Sequence, residues 1–402
     1  MENKKYDVYI FGGGTCGLFA ASILSLKNPN IKIALFEKEK SLGRKFLVAG
    51  KGGFNLTHNP NKENFHQVYS PSTNFKKWLK QFNAEDTINW LNEIGVSTFT
   101  GTSNRVFPSE NYKPIDVLNA VKKSFEQTTD IFLNHSLKSI SDKNFEIKNT
   151  INNQLIILPK KIAIIGFGGK SWSKTGSDGK WIDFFTNKKI NINPFKPSNT
   201  GVICKWPEEI KKLEGKPLKN ISIRCNQKTI KGECMITKYG IEGNTVYTLN
   251  KEIKKNHEKH QFSNIYIDFK PQFSEKQIIE KIKSNTNITN SLKSNLKLSK
   301  EQIKFIKSYT NKETFTSPEK LSCFLKNIPL KVLGFRSFEE AISSSGGIKL
   351  DEINECFELK KIKNIYVVGE MLDWDAPTGG FLIQGCYTTT FIACQDILIK
   401  QR

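Results

Sequence analysis

Near the start of the chain the apolar positions fall into three blocks, 6–11 (YDVYIF), 18–26 (LFAASILSL) and 31–36 (IKIALF), with a glycine-rich turn between the first two. Short apolar runs bounded by turn residues read as buried strands, and the middle block has helical character. The pattern predicts a β-α-β unit ending at Glu37. Residues 41–58 are polar and rich in glycine, with little periodicity, and read as a long functional loop. Over 74–94 the residues Phe75, Trp78, Leu79, Phe82, Ile88, Leu91 and Ile94 are spaced for one helical face, and 115–124 reads as a second helix. Short strands are expected at 129–134, 144–149 and 153–158. Another, 161–167 (KIAIIGF), is closed by Gly168 and Gly169.

The pattern then changes. ISIRC (221–225), ECMITKYG (233–240), TVYTL (245–249) and NIYIDF (264–269) alternate over short stretches and predict small antiparallel strands. Lysine-rich 274–308 has helical tendency. NIYVVG (364–369) resumes the strand–glycine pattern, and a helix over 382–399 closes the chain. The expected organisation is one domain, 1–189 and 336–402, interrupted by an inserted domain, 190–335, with its helical lobe near 271–310.

The chain has 402 residues, 38% of them hydrophobic, which excludes a disordered polymer. Its eight cysteines are scattered without a CxxC, which excludes a disulfide-stapled miniprotein and predicts buried thiols in a reducing cytoplasm. No cluster of Cys and His has metal-ligand spacing. The start, MENKKYDVYIFGGG, does not read as a signal peptide, and no run of 18 uninterrupted apolar residues predicts a membrane span. The net charge is +22, mostly from Lys, and 271–310 holds eight Lys against three Glu. Such an excess fits a polyanionic partner, or equally a compositional bias with solvated lysines.

Candidate chemistry begins at Gly12-x-Gly14-x-x-Gly17, which follows a strand and opens a helix, with Glu37 at the end of the next strand. The first glycine allows the tight turn, the second lets a pyrophosphate approach the backbone, and the third permits close helix–strand contact. The helix start offers N–H groups to phosphate, and Glu37 can accept from ribose hydroxyls. An acidic residue there disfavours a 2′-phosphate, leaving FAD and NAD. The second glycine cluster, 369–380 (GEMLDWDAPTGG), separates them. Glu370 or Asp373 can bind hydroxyls, and Gly379 and Gly380 can bring backbone N–H groups at a helix start to a flavin carbonyl. An NAD dehydrogenase has no need of such a return.

These motifs, with GRKFLVAGKGGFNLTH (43–58), GTSNRVFP (101–108), IIGFGGKSWSKTGSDGKW (164–181), TKYGIEG (237–243) and FEEAISSSGGI (338–348), run in order over essentially the whole chain. Here the sequence resembles a bacterial family of FAD-dependent flavoproteins related to bile-acid-reductase-like and aminoacetone-oxidase-like proteins, in the branch whose signature reads GEMLDWxAPTGG. The resemblance implies an α/β fold: a Rossmann-like, glutathione-reductase-like FAD domain with an inserted β-barrel carrying a helical lobe. It also implies one noncovalent FAD per subunit. The cofactor residues it implies are Gly12, Gly14, Gly17, Glu37, Lys38, Gly43, Arg44, Lys45, Gly52, Gly53, Asn55, Gly369, Glu370, Asp373, Thr378, Gly379, Gly380 and Phe381. The wider family often has GGRCN where GGFNL stands here, which removes an Arg and a Cys from beside the flavin. At least one relative in the wider family is reported to reduce a pyrimidine of ribosomal RNA, and others are linked to steroid double bonds.

Several positions have two readings. Arg44 lies along the cofactor or pairs with a local carboxylate, and Asn55 contacts the cofactor or caps a loop. Trp374 stacks on a planar substrate or packs against the insert. Cys16 sits at a helix start but has no Cys partner nearby in sequence, which argues against a disulfide reductase, and Cys386 and Cys394 read as core. Lys51, Arg105 and Asp375 are the catalytic candidates. Trp172 and Trp374 are the substrate candidates, and Lys170 lies in the same matched loops. The expected function is an FAD-dependent oxidoreductase that reduces a double bond by hydride transfer. The partner is structured, ribosomal RNA or a small planar molecule. NAD(P)H is a candidate external reductant, although no second nucleotide domain is evident, and the oligomeric state is open. A non-catalytic flavin-bound, RNA-interacting protein is the competing class.

Overall fold

Val8–Phe11 and Ile33–Glu37 run parallel in the computed structural model, with Val8 opposite Ile33 and Phe11 opposite Phe36. The structure describes residues 5–48, 54–59, 64–110, 112–283 and 287–402. The two strands belong to a five-stranded sheet in the order Ile365–Val367, Ile162–Ile165, Val8–Phe11, Ile33–Glu37, Thr129–Leu133, with every neighbouring pair parallel. Strand order therefore reverses at Val8–Phe11, where the chain builds outward on one side and later returns on the other. In open parallel sheets this switch point is where ligands bind, beyond the carboxyl ends of the strands.

The sheet is covered on both faces, which explains its near-continuous apolar strands. The opening helix Thr15–Lys27 packs along the closing helix Phe381–Lys400, and both are buried over most of their circumference. A meander of three antiparallel strands, His135–Ile140, Asn144–Asn149 and Leu155–Pro159, sets Phe145 against Tyr9 and Phe11 with ring centroids 5.4 and 5.2 Å apart. A smaller three-stranded sheet joins Thr57–His58, Arg105–Pro108 and Thr98–Thr100.

The helix expected over 74–94 is two helices, Ser72–Trp78 and Ala84–Glu93. Asn83 starts the second: its side chain accepts from the Glu85 N–H at 2.7 Å while Asp86 accepts from the Asn83 N–H at 2.7 Å. This reciprocal cap is a stronger local signal than the continuous apolar face.

The chain divides into two compact units, Met1–Lys196 with Ser344–Arg402, and Pro197–Ser343. The sequence pattern places the insert at 190–335. The structural division falls a few residues later at each end, within two strands, Ile192–Ser198 and Ser343–Ile348, that pair with each other. Taken by itself, the second unit is a closed barrel of six strands with its own apolar core. Helices Glu275–Lys283, Ile288–Ser294, Lys300–Tyr309, Lys312–Thr316 and Pro318–Lys326 form the helical lobe between two of those strands. TVYTL lies in helix Asn244–His260 and is not a strand. Five alternating residues cannot outweigh the longer helical spacing of buried Val246, Leu249 and Ile253.

Candidate active site

The three glycines of the opening turn have three different surroundings. A Cβ on Gly12 would lie 2.5 Å from the Gly166 carbonyl oxygen, and one on Gly17 would lie 1.9 Å from the Gly12 carbonyl oxygen. A Cβ on Gly14 would meet nothing within 4 Å. Gly14 borders a cavity of about 610 Å³ at the strand switch point, a volume typical of cofactor sites. Gly14 also caps the opening helix with no side-chain hydrogen bond, so the first N–H groups of that helix are left for a ligand.

Glu37 closes the far end of this turn. Its Oε2 accepts from the Gly13 N–H at 2.7 Å and its Oε1 from the Glu39 N–H at 2.9 Å. Burial raises its pKa above the usual carboxylate value, and these two N–H groups offset part of the rise. The tethered carboxylate keeps lone pairs for further donors. An open backbone at Gly14, an uncapped helix start and a fixed carboxylate on one cavity wall suit a pyrophosphate and a ribose diol.

Several cations line the same wall, and three of them have carboxylate partners. Lys38 Nζ lies 2.9 Å from Asp178 Oδ2. Arg44 pairs with Glu39 and donates to the Lys174 carbonyl at 2.8 Å, which is the local-carboxylate alternative. The Gly43 N–H donates to the Gly13 carbonyl at 2.8 Å and seats this loop on the glycine turn. Lys45 Nζ donates to Ser171 Oγ at 2.8 Å and to Glu370 Oε2 at 3.0 Å. Glu370, from the C-terminal motif, thereby reaches the cavity wall formed by the N-terminal turn. Asn55 is half-buried in the segment before Thr57 and is not part of that wall. Lys51, Gly52 and Gly53 lie outside the described residues.

The rest of the C-terminal motif divides between site and scaffold. Gly369 packs where the opening and closing helices meet: a Cβ there would lie 2.3 Å from Cys16 Sγ and 3.3 Å from Cys386 Sγ. Asp373 does not line the cavity. Its Oδ2 accepts from Asn193 Nδ2 at 2.5 Å and its N–H donates to the Ile348 carbonyl at 2.9 Å, so it anchors neighbouring strands rather than cofactor hydroxyls. Trp374 is 3% exposed and donates from Nε1 to the Gly369 carbonyl at 2.7 Å. Its ring packs edge-on to Phe75 at 5.2 Å, inside the Rossmann unit. It is a core residue of this unit with its polar edge satisfied, rather than an exposed stacking surface. Phe381 is likewise buried, against the His58 ring at 4.6 Å. Trp172 is 36% exposed at the start of a short turn, away from the cavity wall. The side chain of Lys170 runs beneath Gly179, where a Cβ would lie 3.0 Å from its Cγ.

A second constellation forms around Arg105. Arg105 stands opposite His58 in the small antiparallel sheet. A Cβ on Gly379 would lie 3.3 Å from Arg105 Nε, so the guanidinium rests on Gly379. Gly380 caps the 20-residue closing helix with no side-chain hydrogen bond. Thr378 is half-buried beside this pair. Asp375 exchanges backbone hydrogen bonds with Ser70 at 2.9 Å in both directions, and its Oδ1 accepts from the Ala376 N–H at 3.0 Å. Among the described residues the Arg105 guanidinium has no hydrogen-bond or ion-pair partner.

Two features escape the sequence reading. Cys16, which has no Cys partner nearby in sequence, meets the distant Cys386 at the cavity wall, with Cys16 Sγ 3.9 Å from the Cys386 carbonyl oxygen. The bond from Cys16 and burial push the Cys386 thiol well above its ordinary pKa, which makes it a poor nucleophile. The cavity wall also includes Ser136, Lys138, Ser177 and Asp178. The glycines of 164–181 were the available signal for the latter pair, whereas nothing local marks the strand that begins at His135.

The 3-dehydro-bile acid delta(4,6)-reductase of Clostridium scindens is 21% identical over 411 residues, covering 96% of this chain and 97% of the relative. The ribosomal RNA dihydrouridine synthase of Escherichia coli is 20% identical over 408 residues, covering 98% of each. Among solved structures, 3-ketosteroid delta1-dehydrogenase from Sterolibacterium denitrificans superposes with a TM-score of 0.54 at 10% identity, covering 98% of this chain and 99% of that one. Escherichia coli quinol fumarate reductase FrdA gives 0.51 at 13% identity, covering 98% and 70%. The structural likenesses concern the fold. No helix among the described residues is long and apolar enough to cross a membrane. The HI0933-like protein Rossmann domain matches residues 6–396, and the chain belongs to that family as an FAD-dependent oxidoreductase.

Proposed function

We propose that this enzyme reduces a carbon–carbon double bond conjugated to a ring carbonyl, with a pyrimidine of structured ribosomal RNA as the preferred substrate and NAD(P)H as the external reductant. The observation that carries the reading is the Arg105 guanidinium, unpaired among the described residues, resting on Gly379 at the uncapped start of the closing helix. A fixed positive charge and the positive end of a helix dipole stabilise negative charge as it develops on a carbonyl oxygen. FAD, when bound, supplies the hydride. Glu37, the Gly14 turn and the Lys45–Glu370 pair are proposed to hold the cofactor. A guanidinium offers a fork of N–H donors to a carbonyl oxygen, so Arg105 is given the role of electrostatic partner and not of acid. The proton for the second carbon is assigned to Lys51 or Asp375.

The names of the two curated relatives support this class: one is a delta(4,6)-reductase, the other makes dihydrouridine in ribosomal RNA. The net charge of +22 supports a polyanion over a free small molecule. A free planar compound is the second reading, favoured by the bile-acid relative.

The test mixes photoreduced holoenzyme anaerobically with native ribosomal RNA and follows flavin absorbance, then measures dihydrouridine by nucleoside mass spectrometry in a deletion strain and its complement. The expected result is reoxidation faster than in buffer and a dihydrouridine that depends on the gene. Unchanged modification in the two strains removes the RNA reading, and a flavin that no conjugated carbonyl compound reoxidises removes the enzyme reading.

A further inference from the structure

Two aromatic side chains stand beside Arg105 and are used by nothing described above. Phe107 lies two residues along the same strand, so it shares a sheet face with Arg105 roughly 7 Å away. Phe99 is directly opposite Phe107 on the neighbouring strand, and directly opposite residues share a face. Burial follows the same alternation: Val106 and Pro108 are buried, whereas Arg105 and Phe107 are half-exposed. Phe99 is 44% exposed. The two rings lie 5.7 Å apart between centroids with their planes at 27°, a stacked cross-strand pair. On the opposite side of Arg105, His58 leads to Phe381 at the start of the closing helix. One sheet face thus runs from Gly379, through a cation unpaired among the described residues, to the stacked Phe107 and Phe99.

We propose that Phe99 and Phe107 form the recognition platform for the substrate ring, with Arg105 taking its carbonyl. The inference rests on the conjugated-carbonyl reading above and adds the surface that selects a flat ring. Solvent exposure of two adjacent phenyl rings is unfavourable for a surface hairpin, and a planar apolar ring covers them. Arg105 supplies two or more donors in the plane of a carbonyl edge, which an aliphatic ligand does not satisfy. The shared chemistry is a flat ring with a carbonyl conjugated to a double bond, present in a uracil base of RNA and in a free cyclic enone.

The experiment titrates oxidised holoenzyme with two probes, a uridine-rich ribosomal RNA fragment and 2-cyclohexenone, and reads Kd from the flavin spectrum. Variants are Phe107→Leu, Phe99→Leu and Phe107→Tyr, each checked for flavin content and melting temperature. Base–aromatic stacking is worth about 1–3 kcal/mol, or roughly 5- to 150-fold in affinity. At least one probe is expected to bind at least about 5-fold more weakly to both leucine variants, with Phe107→Tyr close to wild type. The probe that shows the loss identifies the source of the ring. Equal Kd for wild type and both leucine variants, or no binding of either probe to wild type, overturns the platform. Turnover of a bound probe is scored separately. Binding lost in the leucine variants without any turnover in wild type keeps the platform and overturns the reductase reading, whereas turnover with unmoved Kd does the reverse.

Discussion

Gly14 is the residue where sequence and geometry can be tested with least damage to the fold. Its backbone is extended, and a Cβ meets nothing within 4 Å, so a larger side chain costs little in packing. That side chain would project into the cavity where a pyrophosphate must approach the backbone. Gly14→Val is expected to retain wild-type circular dichroism and to lose bound flavin; full flavin stoichiometry would remove this turn from the site. Glu37 yields a second residue-scale expectation. Its folded pKa is raised above the ordinary carboxylate value, chiefly by burial. A raised carboxyl contributes stability while protonated and loses it as pH rises through the folded pKa. Flavin-free protein should therefore lose a stabilising contribution upward from the ordinary value of 4.5. Glu352, Glu358 and Asp396 are shifted down and act in the opposite sense, so the informative quantity is the difference from Glu37→Gln. The glutamine loses one acceptor at every pH, a constant offset, and its melting temperature should fall less steeply with rising pH than that of wild type. Parallel pH profiles would contradict the burial argument.

Secondary-structure elements show most clearly what local sequence carries. The strands around the switch point are legible because both their faces are buried, which leaves short apolar runs ended by glycine or, at Glu37, by a charged residue. The closing helix, expected over 382–399, spans Phe381–Lys400. Elements whose limits depend on a side-chain cap or a partner were misread: Asn83 divides one apolar face into two helices, and TVYTL joins the helix that its own alternation disguises. Tertiary placement was least legible. Glu370 reached the predicted cavity, but its motif neighbours Asp373 and Trp374 turned to the scaffold, and Cys386 met Cys16 across the chain. No local pattern encodes which residues of a glycine-bounded loop face inward. Helix–strand contact carries the element-scale prediction. A methyl on Gly17 would lie 1.9 Å from the Gly12 carbonyl oxygen, backbone that cannot swing aside. Gly17→Ala is expected to destabilise even flavin-free protein, by about 3 kcal/mol or more. Gly14→Val should leave the same apo melting temperature nearly unchanged. Equal melting temperatures for wild type and Gly17→Ala would refute the close approach.

Over the whole molecule, charge and chemistry are divided between the units. Pro197–Ser343 carries 27 Lys and Arg against 15 Asp and Glu, a net of +12 in 147 residues, and the remaining 255 residues carry +10. The denser charge thus lies on the unit that holds the barrel and helical lobe, while the cavity, the glycine turns and Arg105 all belong to the Rossmann unit. The claim on which the rest depends is that the cavity at the strand switch point holds FAD. Purified protein is denatured without proteolysis, and the released chromophore is separated by chromatography and quantified against protein. The account predicts noncovalent FAD at one per chain. Release of FMN, or of no flavin from protein supplied with excess FAD, would contradict it.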